Sequence, residues 1–167
     1  MMALPHMLAG AAIGKLVRRP WVAYPAALAS HFVLDVVPHL DPHGMFGAPR
    51  GGLTVSEATV SGADFVLAAV LITWLAWRQP ERGVILGAAF CAIIIDLVNN
   101  VPPWGHWFRM GRYTGGISTW HHGIQHNLKP DQWPLGISTQ LVVCALSLWA
   151  IWPRRGVVAS APSAVRR

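Results

Sequence analysis

The sequence predicts an all-α fold, a polytopic membrane helix bundle of four to five helices with a short interfacial helix on the extracytoplasmic side. Three observations carry that expectation. The 167-residue chain is 53% hydrophobic and 12% charged, with mean hydropathy +0.41, whereas soluble domains carry about 25% charged residues. Its apolar runs approach the roughly 20 residues that a helix needs to cross a bilayer. Nine tryptophans cluster at the edges of those runs, where aromatic belts meet the membrane–water boundary. No stretch alternates as a half-buried strand would.

Taken in order, residues 4–17 form a first, short apolar run, which contains Lys15 and reads as a tilted or partly inserted helix. Residues 21–41, 57–77, 82–102 and 134–152 form the other candidate spans. Breakers separate them: Arg18-Arg19-Pro20, the stretch from Pro42 to Gly52, Gln79-Pro80, Pro102-Pro103 and Lys129-Pro130. Residues 1–153 read as one membrane-embedded domain and 154–167 as a basic, disordered cytoplasmic tail. Met1 to His6 lacks the basic start of a signal peptide. Cys91 and Cys144 sit in apolar runs and read as buried thiols. Glu57 favours the start of its helix through the dipole.

Net charge +6 and pI ≈ 10.4 fit nucleic acid or a membrane surface, and the apolar runs select the membrane, with lipid as environment or substrate and no nucleic acid. One set of loops holds Lys15, Arg18, Arg19, Arg78, Arg82, Arg154, Arg155, Arg166 and Arg167; the other holds only Arg50, Arg109, Arg112 and Lys129. Positive charge stays inside, so the C-terminus is expected in the cytoplasm and the N-terminus outside. Rising at about 1.5 Å per residue, Asp35 and Asp96 lie roughly 21 Å above the inner boundary, and Asp64 roughly 10 Å below the outer one. All three carboxylates then share a depth. Most histidines fall on the same outer side, and Glu81 is the one acid expected at the cytoplasmic face.

The sharpest motif runs from His31 to Asp41. His31, Asp35 and His39 recur at i, i+4 and i+8, on one helical face, and Pro38 ends or bends that helix so that His39 and Asp41 turn inward. An imidazole and a carboxylate one turn apart grip a metal at two points; a buried His–Asp hydrogen bond between helices is the plainer alternative. Ionisable groups inside a membrane favour function. The second constellation is His121-His122-Gly123-Ile124-Gln125-His126, on a short helix capped by Ser118 or Thr119, with His122, Gln125 and His126 on one face. Asp64 and Asp96 are isolated in apolar helices, where polar glue between helices is the alternative to ligation. His43, His106 and Asp131 read as loop residues at the surface. Leu34-Asp35-Val36-Val37-Pro38-His39 echoes Ile95-Asp96-Leu97-Val98-Asn99-Asn100, leaving a parallel repeat of two hairpins open. No serine or cysteine nucleophile motif and no phosphate loop occurs. The His/Asp inventory suits a divalent transition metal, Zn²⁺ first, with Mn²⁺ or Fe as alternatives.

Pro5-His6-Met7-Leu8-Ala9-Gly10, Ser30-His31-Phe32-Val33-Leu34-Asp35 with Pro38-His39-Leu40-Asp41, Ile95-Asp96 and His121-His122 resemble the YdjM-like family. Its members are small inner-membrane proteins described as predicted metal-dependent hydrolases. The resemblance spans residues 4–128. The run from His31 to Asp41 also resembles part of the zinc site of zinc-dependent phospholipase C and P1 nuclease, although the later histidine spacing differs and a three-zinc site is not implied. The resemblance implies metal at His31, Asp35 and His39, with His6 and Asp96 as partners, in a bacterial-type inner membrane.

The resulting expectation is an outward-facing metallohydrolase that cleaves a phosphoester in a lipid or lipid-linked molecule. His6, His31, Asp35, His39, Asp64, Asp96 and His121 form its metal set. His122, His126 and Asp41 are its catalytic groups, and Arg109 and Arg112 draw in an anionic headgroup. A metal- or haem-binding transport component without hydrolysis is the alternative, followed by a structural subunit with polar interhelical contacts.

Overall fold

The computed structural model describes residues 1–46, 54–101 and 103–152, the side chains of His43 and Gly44 excepted. The basic tail, Arg50 and the side chain of His43 therefore lie outside the described residues. Every regular element among those residues is helical, and the one β-type contact is an isolated bridge between His39 and Asn127. In chain order the helices are α1 (Ala3–Val17), α2 (Pro20–Val36), α3 (Pro42–Phe46), α4 (Val55–Ala76), α5 (Arg82–Cys91), α6 (Ile94–Asn100), α7 (Trp104–Met110), α8 (Thr114–Ile124) and α9 (Trp133–Ile151); a 3₁₀ turn, Pro130–Gln132, precedes α9.

The α4 segment and Pro130–Ile151 are long and apolar enough to cross a membrane. The pair α5 and α6, bent by 43°, makes a third if counted as one broken span. Of the four to five spans expected from sequence, two or three meet this measure among the described residues. The cause is length: α1 has 15 residues and α2 has 17, or about 22 and 26 Å against a hydrocarbon core of about 30 Å. Arg19-Pro20 sets the start of α2, and the extended backbone of Val37 before Pro38 stops it. All nine tryptophans are exposed, an arrangement that suits lipid and interface better than water.

The short α1 is the centre of the molecule and packs against α2, α4, α5 and α9. Gly10 and Gly14 make this possible. A Cβ on Gly10 would lie 2.6 Å from both the Ala88 carbonyl oxygen and the Ala92 Cβ, and one on Gly14 would lie 2.7 Å from the Val84 carbonyl oxygen. Ala23 and Ala27 of α2 pack on Ala88 and Ala92 from the other side. Small residues four apart let backbones approach closely where no water is available to drive association. Beside this seam, Met7, Leu8 and Ala11 meet Ala68, Ile72 and Leu75 of α4 and Ile85 of α5.

Both ends of α1 are satisfied by other elements. The Leu4 N–H donates to Asp64 Oδ2 (2.9 Å) and the Met2 N–H to Gln140 Oε1 (3.1 Å), so donors without intrahelical partners are capped by α4 and α9. At the far end Arg18 adopts φ 62°, closing the helix with a 3.1 Å bond from its N–H to the Gly14 carbonyl. Its Nε reaches Glu81 at 3.2 Å, and Lys15 reaches the same carboxylate at 3.4 Å. For α4, Glu57 acts by a specific capping box with Thr54, a closer fit than a dipole interaction alone.

Candidate metal centre

Asp35 and His31, one turn apart on α2, are fully buried, as are His6 of α1 and His121 of α8. Three backbone features bring them together. After α8 the chain runs beside the end of α2: the His126 N–H donates to the Asp35 carbonyl (2.8 Å), the His39 N–H to the His126 carbonyl (3.1 Å) and the Leu128 N–H to the His39 carbonyl (2.8 Å). On α9, Thr139 donates to the Pro38 carbonyl (2.7 Å) and Gln140 to the Leu40 carbonyl (2.9 Å). Between α5 and α6 the helical ladder breaks. The Ile93 N–H reaches the Phe90 carbonyl (3.1 Å), and the regular pattern resumes with Leu97 N–H to Ile93 (3.2 Å). The Ala92 carbonyl at this bend accepts from His31 Nδ1 at 2.7 Å.

That last bond sets the chemistry. A carbonyl only accepts, so His31 carries a proton on Nδ1 and turns its Nε2 toward the interior. Around this nitrogen lie His121 Nε2 at 3.0 Å, Asp35 Oδ2 at 3.2 Å and Asp96 Oδ1 at 3.6 Å. His121 Nε2 is 2.9 Å from Asp35 Oδ2 and 3.6 Å from Asp96 Oδ1. His31, Asp35 and His121 therefore form a triad of donor atoms with edges from 2.9 to 3.2 Å, and Asp96 Oδ1 of α6 stands 3.6 Å from both imidazole nitrogens. A tetrahedral site with metal–ligand bonds of about 2.0–2.1 Å has edges of about 3.3 Å. A cation among these atoms would be held by nitrogen and oxygen donors from three helices.

Surrounding groups complete the arrangement. His6 Nε2 donates to the other oxygen of Asp35, Oδ1, at 3.1 Å, and its ring stacks on His31 at 4.2 Å. The Met1 amine reaches the same Oδ1 at 3.2 Å. Asn99 is buried, with Nδ2 placed 3.2 Å from His121 Nδ1 and 3.0 Å from the Ile95 carbonyl, while its Oδ1 has no partner. An imidazole bound to metal through Nε2 needs an acceptor at Nδ1, and the partnerless amide oxygen is one turn of the side chain away. His6, His31 and Asp96 make a second possible donor group that overlaps the first at His31. Because Ala92 occupies His31 Nδ1, the two groups are alternative seats for one ion. Buried His and Asp side chains here can hold a metal ion.

Of the residues expected from sequence, the fold gathers His6, His31, Asp35, Asp96 and His121. Asp64 is instead the α1 cap. His39 is buried beyond the end of α2, outside both donor groups: its Nδ1 donates to the Val37 carbonyl at 2.7 Å, and its Nε2 has no partner. The i+8 periodicity fails because the helix stops at Val36. His122 and His126 are exposed. The expected cap at Ser118 or Thr119 is replaced by a start at Thr114 and an end at Ile124, which turns His121 inward and His122 outward to bond the Ser118 carbonyl at 2.8 Å. Asp41 lies at the start of α3, outside the donor groups. Arg109 donates to the Asn99 carbonyl, tying α7 to α6, and Arg112 lies over its neighbour Tyr113. His106 is exposed on α7 rather than in a loop, Asp131 is exposed in the 3₁₀ turn, and the two free cysteines are half-buried. Sequence reasoning missed the Ala92 carbonyl and gave no role to Asn99, although Asn99 stands three residues from Asp96 and so shares its face. No protein-family model, curated protein or solved structure matches the chain.

Proposed function

We propose that this protein is a membrane-embedded metal-dependent hydrolase that cleaves a phosphoester in a lipid or lipid-linked substrate at the extracytoplasmic face. One observation carries the reading: His31 Nε2, His121 Nε2 and Asp35 Oδ2 lie within 3.2 Å of one another, at ligand-edge distances, with Asp96 Oδ1 3.6 Å from both imidazole nitrogens. A divalent ion, Zn²⁺ by the mixed nitrogen and oxygen donors, supplies Lewis acidity toward a phosphoryl oxygen and acidifies a water. His6 holds Asp35 through Oδ1 and leaves Oδ2 free for the site. Asp96, 22% exposed while its three companions are buried, marks the edge where water or substrate enters. The resemblance to the YdjM-like family supports the same activity, and the loop charge asymmetry supports the outward orientation, with α1 and α2 completing a multi-pass bundle by tilt or local thinning of the bilayer.

Purified protein is expected to carry transition metal by elemental analysis, and Asp35→Asn to lose it while keeping its helical circular dichroism. Metal-loaded wild type is expected to release phosphate or a phosphorylated headgroup from phospholipid vesicles. Absence of metal from carefully prepared wild type, together with no uptake of added Zn²⁺, would end this reading. Burial of His6, His31 and His121 favours a second reading, metal carriage without hydrolysis. That reading gains if metal binds and no phosphoester is cleaved.

A further inference from the structure

At the end of the bundle opposite the imidazoles, the turn from α4 to α5 opens a cleft of about 430 Å³ lined by Trp77, Arg78, Gln79, Pro80 and Arg82. The basic residues here are of two kinds. Lys15 and Arg18 are already engaged by Glu81. Arg78 and Arg82 are exposed and make no ion pair with any described residue. Between them Gln79 is 5% exposed, and its Nε2 donates to the Leu75 carbonyl at 2.8 Å and the Ile151 carbonyl at 3.0 Å. Those bonds lock the side chain between α4 and α9 and leave Oε1 buried with no partner. The cleft thus offers two guanidinium forks, suited to phosphate, beside an acceptor that lacks a donor.

What occupies it is indicated by the adjoining surface. Val66, Val70, Trp74 and Trp77 are all exposed and recur on one face of α4, leading to the cleft. Trp74 meets Trp152 edge-on at 6.5 Å at the same end, as aromatics do at headgroup level. A soluble anion has no use for this stripe, whereas an acyl chain does. We propose that the cleft binds an anionic phospholipid whose headgroup also carries a hydroxyl, phosphatidylglycerol being the simplest. Arg78 and Arg82 take the phosphate oxygens, the headgroup hydroxyl donates to Gln79 Oε1, and the chains lie along Trp77 and Trp74. The proposal rests on the membrane placement of the protein and not on the metal.

The test is native mass spectrometry of the full chain released from neutral detergent containing equal phosphatidylglycerol and phosphatidylcholine. Wild type is expected to retain phosphatidylglycerol selectively, and phosphatidylmethanol, with the same charge and no hydroxyl, more weakly. Arg78→Gln/Arg82→Gln is expected to lower retention roughly tenfold to thirtyfold, from two cations near a membrane surface, with circular dichroism unchanged. Arg19→Gln/Lys129→Gln removes equal charge elsewhere and is expected to leave retention intact. Equal retention of phosphatidylglycerol and phosphatidylcholine, equal loss in both double variants, or displacement of the lipid by inorganic phosphate would overturn the assignment. Asp35→Asn is expected to keep the lipid, so failure here and failure of the metal reading are separate results.

Discussion

One end of α1 begins among His6, Asp35 and the other imidazoles; the opposite end finishes with Lys15 and Arg18 against Glu81. Both are charge clusters, yet they solve different problems. Around Glu81 two cations face one carboxylate within reach of water, where an ion pair contributes about 0–1 kcal/mol. Around Asp35 the polar atoms are buried, so an unmatched charge is far more expensive. The lesson is that burial and donor type distinguish the two ends: only the imidazole end gathers buried nitrogen and oxygen donors that could hold a metal ion.

The sharpest way to break this contrast uses two neighbouring histidines. His121→Ala removes one donor of the buried set and is expected to weaken metal affinity by roughly hundredfold or more, since even outer partners of a ligand are worth about 10–100-fold. His122→Ala, at an exposed ring bonded to Ser118, is expected to leave metal content at the wild-type level. Elemental analysis and titration with Zn²⁺ measure both, and equal losses would show that the inward turn of His121 is not what matters. Next in size is Gly10→Val at the seam that joins the two ends. Its Cβ meets backbone and Cβ atoms at 2.6 Å, and such overpacking costs about 3 kcal/mol, read as a lower thermal midpoint in detergent. Asp64→Ala is smaller and separates capping from ligation: loss of a cap costs about 1 kcal/mol, and metal content is expected to hold. Loss of metal with intact helicity would return Asp64 to the ligand set.

Much of the helical framework was legible because apolar runs, prolines and arginines mark spans directly: residues 57–77 and 134–152 anticipate α4 and α9 within two residues at either end. The donors on continuous helices were legible too, since His31 and Asp35 need only a period of 3.6. The surroundings of His39 and His122 were not legible, because their placement depends on where a helix stops and on which way a short helix rolls. Both are decided by tertiary contacts, the pairing of His39 with the 126–128 segment and the docking of His121 on Asp35. Asp64 illustrates another limit. A carboxylate in an apolar helix has the same sequence signature whether it binds an ion or two backbone N–H groups of a neighbouring helix, and only the fold reveals that α1 begins beside it. The bend at Ala92 had no proline or glycine to announce it, so the carbonyl that orients His31 left no trace in the sequence.

The smallest expected effect lies at the Glu81 end and carries a definite sign with pH. A hydrogen bond from its own backbone N–H, aided by the Lys15 ammonium and the Arg18 guanidinium, holds the Glu81 carboxyl below its ordinary value of 4.5 against the opposing effect of burial. A carboxyl with a depressed pKa in the folded state adds stability above its unfolded-state value and loses it as pH falls through the folded one. Glu81→Gln is therefore expected to lower the thermal midpoint at neutral pH by an amount equivalent to at most about 1 kcal/mol. The gap should stay constant down to about pH 5 and close below that as the wild-type carboxyl takes up its proton. Added salt should narrow it at neutral pH, because these charges are within reach of mobile ions. A gap that survives in acid would mean that Glu81 acts through packing rather than charge, and the two ends of α1 would then be less different than the ion pairs imply.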